Sequence, residues 1–256
     1  MKQLLESVEE VARRAGAVAL QHFRQAIEVE VKSDRSPVTV ADRAAEAAAR
    51  ALIEKRFPHD GIVGEEHGTL RPDARRRWII DPIDGTRSFV RGVPLWGTLI
   101  AVAEGDEVLA GCMGFPATDE WIAAARGEGA WCNGRRCRVS DVAEIERAAV
   151  LTTDERFPMA PEWRPPWREL GERVELSRTW GDCYGYLMVA TGRAELMMDP
   201  VLADWDSASL MPIIEEAGGV FSDVRGRRTA FGGSALATNT ALARQLRVAL
   251  GVGEVA

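Results

Sequence analysis

The chain has 256 residues, enough for one large domain or two medium ones, and 46% of them are hydrophobic, as in a globule with a sizeable core. Its formal charge of −7 argues against a nucleic-acid partner. Small phosphorylated substrates stay open, because bound divalent cations reverse the local field. The four cysteines (Cys112, Cys132, Cys137, Cys183) and three histidines (His22, His59, His67) show no zinc-type spacing, and reduced thiols in a cytoplasmic protein are expected.

The first 26 residues carry Glu6, Glu9 and Glu10 among apolar residues at helical spacing, which predicts an amphipathic helix over about 2–26 and not a signal peptide. No apolar run approaches the length of a membrane span. "IEVEVKS" alternates as a strand, and "DRSPVT" with Pro37 reads as a turn. "VADRAAEAAARALIEKRF" is a second helix that stops at Pro58. "DGIVGEEHG" holds a short strand between glycines, "RRRWIIDPIDG" a second strand that ends in a turn, and residues 97–134 an antiparallel meander. "DERFPMAPEWRPPWREL", with four prolines and two tryptophans, is expected to be a mobile loop or irregular cover. Beyond it, short strands alternate with helices. The pattern is α+β, with an N-terminal part over 1–145 that carries the acidic motifs and a C-terminal α/β part over 146–256 that completes a site between them.

Glu65 and Glu66 in "VGEEHG", Asp81 and Asp84 in "DPIDGT", and Asp206 in "DWDSAS" each stand at the end of an expected strand or the start of a helix. Side chains from different elements converge at such places. A Mg²⁺ ion takes a few carboxylates, a backbone carbonyl and water, and the Ile83 carbonyl lies between the two aspartates of "DPID". Gly85 permits close backbone approach, and the amides of Gly85 and Thr86 stand at an expected helix start, where phosphate binds well. Cations on one side and amides on the other suit attack on phosphorus by an activated water.

The run from "SPVTVADRAAE" through "GEE", "WIIDPIDGTRSF" and "DWDSASLMPIIEEAGG" to "EEAGGVFSD" resembles the magnesium-dependent, lithium-sensitive phosphatases of the inositol monophosphatase family, over nearly the whole chain. The resemblance implies the layered αβαβα sandwich of the inositol monophosphatase / fructose-1,6-bisphosphatase type, a homodimer, and two or three Mg²⁺ ions per site. By that likeness Glu65, Asp81 and the Ile83 carbonyl hold one ion, Asp81, Asp84 and Asp206 a second, and Glu65 shares in a third. Glu65, Thr86 and Asp42 would carry the catalytic roles, with Thr86 orienting the water and Asp42 of "TVAD" hydrogen-bonded to Thr86.

Where the family contacts the leaving group, this chain has Asp182 in "SRTWGDCYGY" and Asp199 in "MMDPVLADWD". Inositol phosphatases commonly carry a small Gly-Thr-Ala-like sequence in place of "GDC". An acidic leaving-group side suits a substrate with an amine and an imidazole. The wording also resembles the histidinol-phosphate phosphatases of the family, so L-histidinol phosphate is the expected substrate and a place in histidine biosynthesis follows. Substrate contacts are assigned to Gly85, Thr86, Asp182 and Asp199. The alternatives are an inositol-1-monophosphatase, another small-molecule phosphatase of the family, and a noncatalytic phosphate-binding regulator. Lys32 and Arg178 stay outside the catalytic set, Glu215 and Glu216 are read as scaffold, and Trp96, Trp121 and Trp131 as core or interface.

Overall fold

The computed structural model describes residues 1–26, 28–31 and 37–253. Helix α1 (Lys2–His22) ends four residues earlier than its pattern predicts, because Phe23 is extended and Arg24 turns left-handed at φ 60°. Strand β1 (Val29–Val31) pairs antiparallel with β2 (Pro37–Thr39). The expected turn between them and Lys32 lie outside the described residues. Helix α2 (Val40–Arg56) starts from a capping box, in which Asp42 accepts from the Thr39 amide at 2.8 Å and the Thr39 hydroxyl at 2.7 Å.

The next run builds one sheet. It comprises β3 (Gly61–Gly64), β4 (Gly68–Leu70), β5 (Arg76–Asp84), then after the short helix α3 (Thr86–Phe89) the meander β6 (Gly97–Glu104), β7 (Glu107–Phe115), β8 (Glu120–Ala125), β9 (Gly129–Cys132) and β10 (Arg135–Arg136). Its order is β10-β9-β8-β7-β6-β5-β3-β4, antiparallel except between β3 and β5. A second, five-stranded sheet runs β12 (Leu176–Arg178), β11 (Ala149–Thr152), β13 (Leu196–Asp199), β15 (Ala235–Thr238), β14 (Val220–Ser222). Helices α4 (Arg164–Gly171), α5 (Asp182–Ala190), α6 (Asp204–Ser207), α7 (Leu210–Glu216) and α8 (Ala243–Leu250) interleave with it.

Side-chain alternation along the strands sorts the layers. Trp78, Ile80, Ile100 and Val102 pack against α1 and α2, whereas Ile79, Leu99, Ala101 and Ala103 face α5 and α7. The same two helices cover Met197, Ala235 and Ala237 of the second sheet, whose other face takes Trp167 and Leu170 of α4 and Leu246 and Leu250 of α8. Four apolar interfaces, the two around α5 and α7 merged into one core, thus join five layers, αβαβα. Within the described residues no helix is long and apolar enough to cross a membrane.

The proline- and tryptophan-rich stretch is not the irregular cover its composition predicts. Residues Pro161–Trp163 form a 3₁₀ turn that runs into α4, and Pro165 and Pro166 occupy the first turn, where an amide proton has no helical partner to lose. Trp167 packs edge-on to Phe157 at 5.8 Å, and both are buried. Trp96 and Trp121 are core residues, while Trp131 is 37% exposed. Glu216 accepts from the Gly127 and Gly129 amides, both at 2.7 Å, and Glu215 pairs with Arg228, so each of these two carboxylates has a structural partner.

Candidate active site

The site begins with an irregularity in β5. Asp81 pairs with Leu99 and Asp84 with Gly97, so three steps on one strand oppose two on the other. Residues three apart on a regular strand point to opposite faces; the extra residue of this bulge lets both carboxylates reach one side. The Ile83 amide donates to Asp81 Oδ1 at 3.0 Å and the Thr98 hydroxyl to the Pro82 carbonyl at 2.8 Å, which holds the bulge in place. Gly85 then turns left-handed at φ 80°, and a Cβ there would stand 2.9 Å from Asp182 Oδ2 and 3.1 Å from the Leu95 carbonyl. Only glycine satisfies both demands.

Helix α6 brings in Asp206, whose Oδ2 accepts from the Ala203 amide at 2.9 Å. One oxygen each from Asp81, Asp84 and Asp206 lies within 4.8 Å of the others. Burial, followed by the charges of Glu65, Asp84 and Asp206, pushes the Asp81 carboxyl well above its usual range. Asp84 is raised likewise by burial, Asp182 and Asp206, against a 2.5 Å hydrogen bond from the Cys183 amide. Converging carboxylates of this kind are relieved by a hard divalent cation, and an all-oxygen donor set fits one.

Glu65 is positioned through a residue that the sequence reading passed over. Glu46, fully buried on α2, pairs with Arg50 at 2.7 Å and accepts from the Glu66 amide at 2.7 Å and the His67 amide at 3.2 Å. A Cβ on Gly64 would come 1.9 Å from Glu46 Oε1, so glycine is what lets the loop sit on this carboxylate. Asp42 is buried close enough for its charge to contribute to the Asp81 shift. Beside the expected contact of Asp42 with Thr86 stand two other bonds: Thr86 Oγ1 donates to the Ile83 carbonyl at 3.0 Å, and Asp42 Oδ2 accepts from the Thr39 hydroxyl in the α2 cap.

A cavity of about 350 Å³ opens over these groups, lined by Asp84, Asp206, Asp182, Asp199, Arg87 and Tyr186 among others. Asp182 opens α5 at φ 50°, its amide donating to Thr153 Oγ1 at 2.8 Å. Burial, then Asp199 and Asp206, push its carboxyl up to about 7, while Arg87 draws it down. Asp199 is buried, with Oδ1 accepting from the Thr153 amide at 3.1 Å and Oδ2 from the Tyr186 hydroxyl at 3.2 Å; burial raises its carboxyl to about 6 against these bonds. Cys183 is buried against Asp84, which pushes its thiol far up and makes it a poor nucleophile. Thr153 stands in no motif, and Arg87, Cys183 and Tyr186, though within "WIIDPIDGTRSF" and "SRTWGDCYGY", carry no role legible in the sequence, since they act through neighbours from other elements. Arg178 lies at the surface, donating to the Ser177 carbonyl.

Five layers, a bulged strand and a convergent carboxylate group that borders a polar cavity define a protein with an acidic site able to take a metal ion. The sequence matches the model of the inositol monophosphatase family over residues 1–250, and the chain belongs to that family. It is 43% identical to a histidinol-phosphatase of Chlorobaculum parvum, over 98% of this chain and 97% of that protein. A histidinol-phosphatase of Mycobacterium tuberculosis is 37% identical, over 98% and 96%. Of solved structures, an inositol monophosphatase from Zymomonas mobilis aligns with a TM-score of 0.87 at 31% identity, covering 98% of each chain.

Proposed function

We propose that this chain is a magnesium-dependent phosphomonoesterase that hydrolyses L-histidinol phosphate to L-histidinol and phosphate, as a cytoplasmic homodimer. The observation that carries the reading is one cavity lined by two acidic sets, Asp84 with Asp206 and Asp182 with Asp199. The first set suits cations that face a phosphate; the second suits a cationic leaving group. The two histidinol-phosphatase relatives support the same substrate.

Glu65, Asp81 and the Ile83 carbonyl would hold one Mg²⁺, Asp81, Asp84 and Asp206 a second, with Glu65 sharing in a third. When bound, these ions supply Lewis acidity toward the phosphate and lower the pKa of water. Gly85 and Thr86 offer amides to the phosphate oxygens. The Thr86 hydroxyl, which donates to Ile83, has lone pairs left to accept a hydrogen bond from the attacking water and so to orient it. Asp42 is a positioning residue, holding the start of α2 beside Asp81. An ammonium on the leaving group would favour the charged form of Asp182 and Asp199. The two parts of the chain, 1–145 and 146–256, would each supply half of the site.

A second reading, hydrolysis of an inositol phosphate, is favoured by the likeness to the Zymomonas mobilis structure. Phosphate release from L-histidinol phosphate and from myo-inositol 1-phosphate, each with Mg²⁺ and with chelator, separates the two. A kcat/KM at least about tenfold higher for histidinol phosphate is expected, corresponding to one charge-assisted contact. Equal or reversed preference would defeat the substrate assignment.

A further inference from the structure

The two carboxylates on the leaving-group side of the cavity come from separate elements: Asp199 ends β13 and Asp182 opens α5. Thr153, directly after β11, is bonded to both. Its amide donates to Asp199 Oδ1 at 3.1 Å, and its hydroxyl oxygen accepts from the Asp182 amide at 2.8 Å. Strand register brings the first pair together. Strand β11 runs parallel to β13 with Thr152 opposite Met198, so the next residues along, Thr153 and Asp199, stand side by side.

The α5 side is fitted as closely. A Cβ on Gly181 would stand 2.3 Å from Thr153 Cα and 2.7 Å from Thr153 Oγ1, so glycine is what brings the start of α5 onto this residue. Asp182 then takes φ 50°, a left-handed conformation that costs a residue with a side chain free energy and that the bond to Thr153 helps to hold. The two bonds also separate cleanly. An amide survives every substitution except proline, and Asp199 has a second support in the Tyr186 hydroxyl, so removal of the Thr153 hydroxyl acts on Asp182 alone. Thr153 is exposed and lines the cavity, so its side chain is not part of the packed core.

We propose that Thr153 is the positioning residue of the leaving-group subsite: through one amide and one hydroxyl it sets two carboxylates from different elements to receive a cationic leaving group. The inference rests on the phosphatase reading above and adds to it the residue that sets the preference for an amine. Thr153 lies outside every metal motif, so the preference can change while the hydrolytic centre stays as it is.

Two esters that differ only in the amine test it, 2-aminopropyl phosphate and propyl phosphate, assayed with Mg²⁺ on the full chain. The wild type should favour the amine ester by at least about tenfold in kcat/KM, the size of one charge-assisted contact. Thr153→Val, which keeps the side-chain shape, should lower that ratio about fivefold, the size of one neutral hydrogen bond. Its kcat/KM on propyl phosphate should move by no more than about twofold, since the lost contact serves the amine alone. Thr153→Ser keeps the hydroxyl and should keep the ratio, whereas Gly181→Ala, which pushes α5 off Thr153, should lower it. A Thr153→Val variant that retains the ratio, or that loses both esters to the same extent, overturns the inference and leaves the phosphatase reading standing. So does a Thr153→Ser variant that loses the ratio, because the hydroxyl is then not what matters. A wild type without preference for the amine ester, or without turnover of it, also overturns the inference, and the L-histidinol phosphate assay above then decides the substrate reading by itself.

Discussion

Asp84 concentrates the chemistry at the scale of one side chain. It belongs to the carboxylate group, accepts the Cys183 amide, and is reached only through the bulge of β5. Asp84→Asn keeps the shape and removes the charge. Loss of outer-shell partners of a metal site already costs about 10- to 100-fold, so a ligand change should lower kcat by more than about a hundredfold. Circular dichroism should still show a folded chain; retained activity would remove Asp84 from the metal set. Asp199 makes a different prediction. Asp199→Asn should lower kcat/KM for L-histidinol phosphate by about tenfold or more, the size of a charge-assisted hydrogen bond, and affect propyl phosphate far less. An equal loss on both esters would show that Asp199 serves the fold or the phosphate and not the amine.

At the scale of elements, the loop between β3 and β4 is held by a helix that supplies no metal ligand. Glu46 of α2 accepts two amides of this loop and pairs with Arg50, which is itself nearly buried. Glu46→Ala leaves the guanidinium without its carboxylate, at a cost of about 3 kcal/mol. It also loosens Glu65, so the apparent affinity for Mg²⁺ should fall by about tenfold. Urea unfolding and a Mg²⁺ titration of activity measure the two effects. A loss of stability without a change in Mg²⁺ dependence would separate Glu46 from the site. Helix α4 teaches the same lesson from the opposite side: its prolines sit in the first turn, and its packing is decided by Phe157 and Trp167.

For the whole molecule, the acidic site is a store of electrostatic strain. Asp199, raised from 3.8 to about 6, and Asp182, raised from 3.8 to about 7, bind protons more tightly in the folded chain than in the unfolded one. Their contribution to stability is therefore present below pH about 4 and is lost as pH rises through 6 and 7. In chelator, Tm should decline across that window, and the Asp182→Asn/Asp199→Asn double variant should flatten the decline. A cation bound only by the folded state adds stability by mass action, so Mg²⁺ should raise Tm more at pH 7.5 than at pH 5. A Mg²⁺ effect independent of pH would contradict the electrostatic account.

The amino-acid sequence by itself determined the α+β order of elements, because hydrophobic periodicity is local, and it exposed the acidic motifs, because strand ends and glycine turns leave short signatures. It also pointed to Asp182 and Asp199, which now line one cavity with Asp84 and Asp206. Only the tertiary structure decided what those carboxylates touch. The bulge between Asp81 and Asp84 depends on the register with β6, Asp42 caps its own helix, and α4 formed where prolines suggested none. Glu46, Thr153 and Tyr186 act on partners 13 to 46 residues away, where one-dimensional spacing carries no signal. Burial and pairing are properties of neighbours brought together by folding, and that is the physical reason the site had to be read in three dimensions.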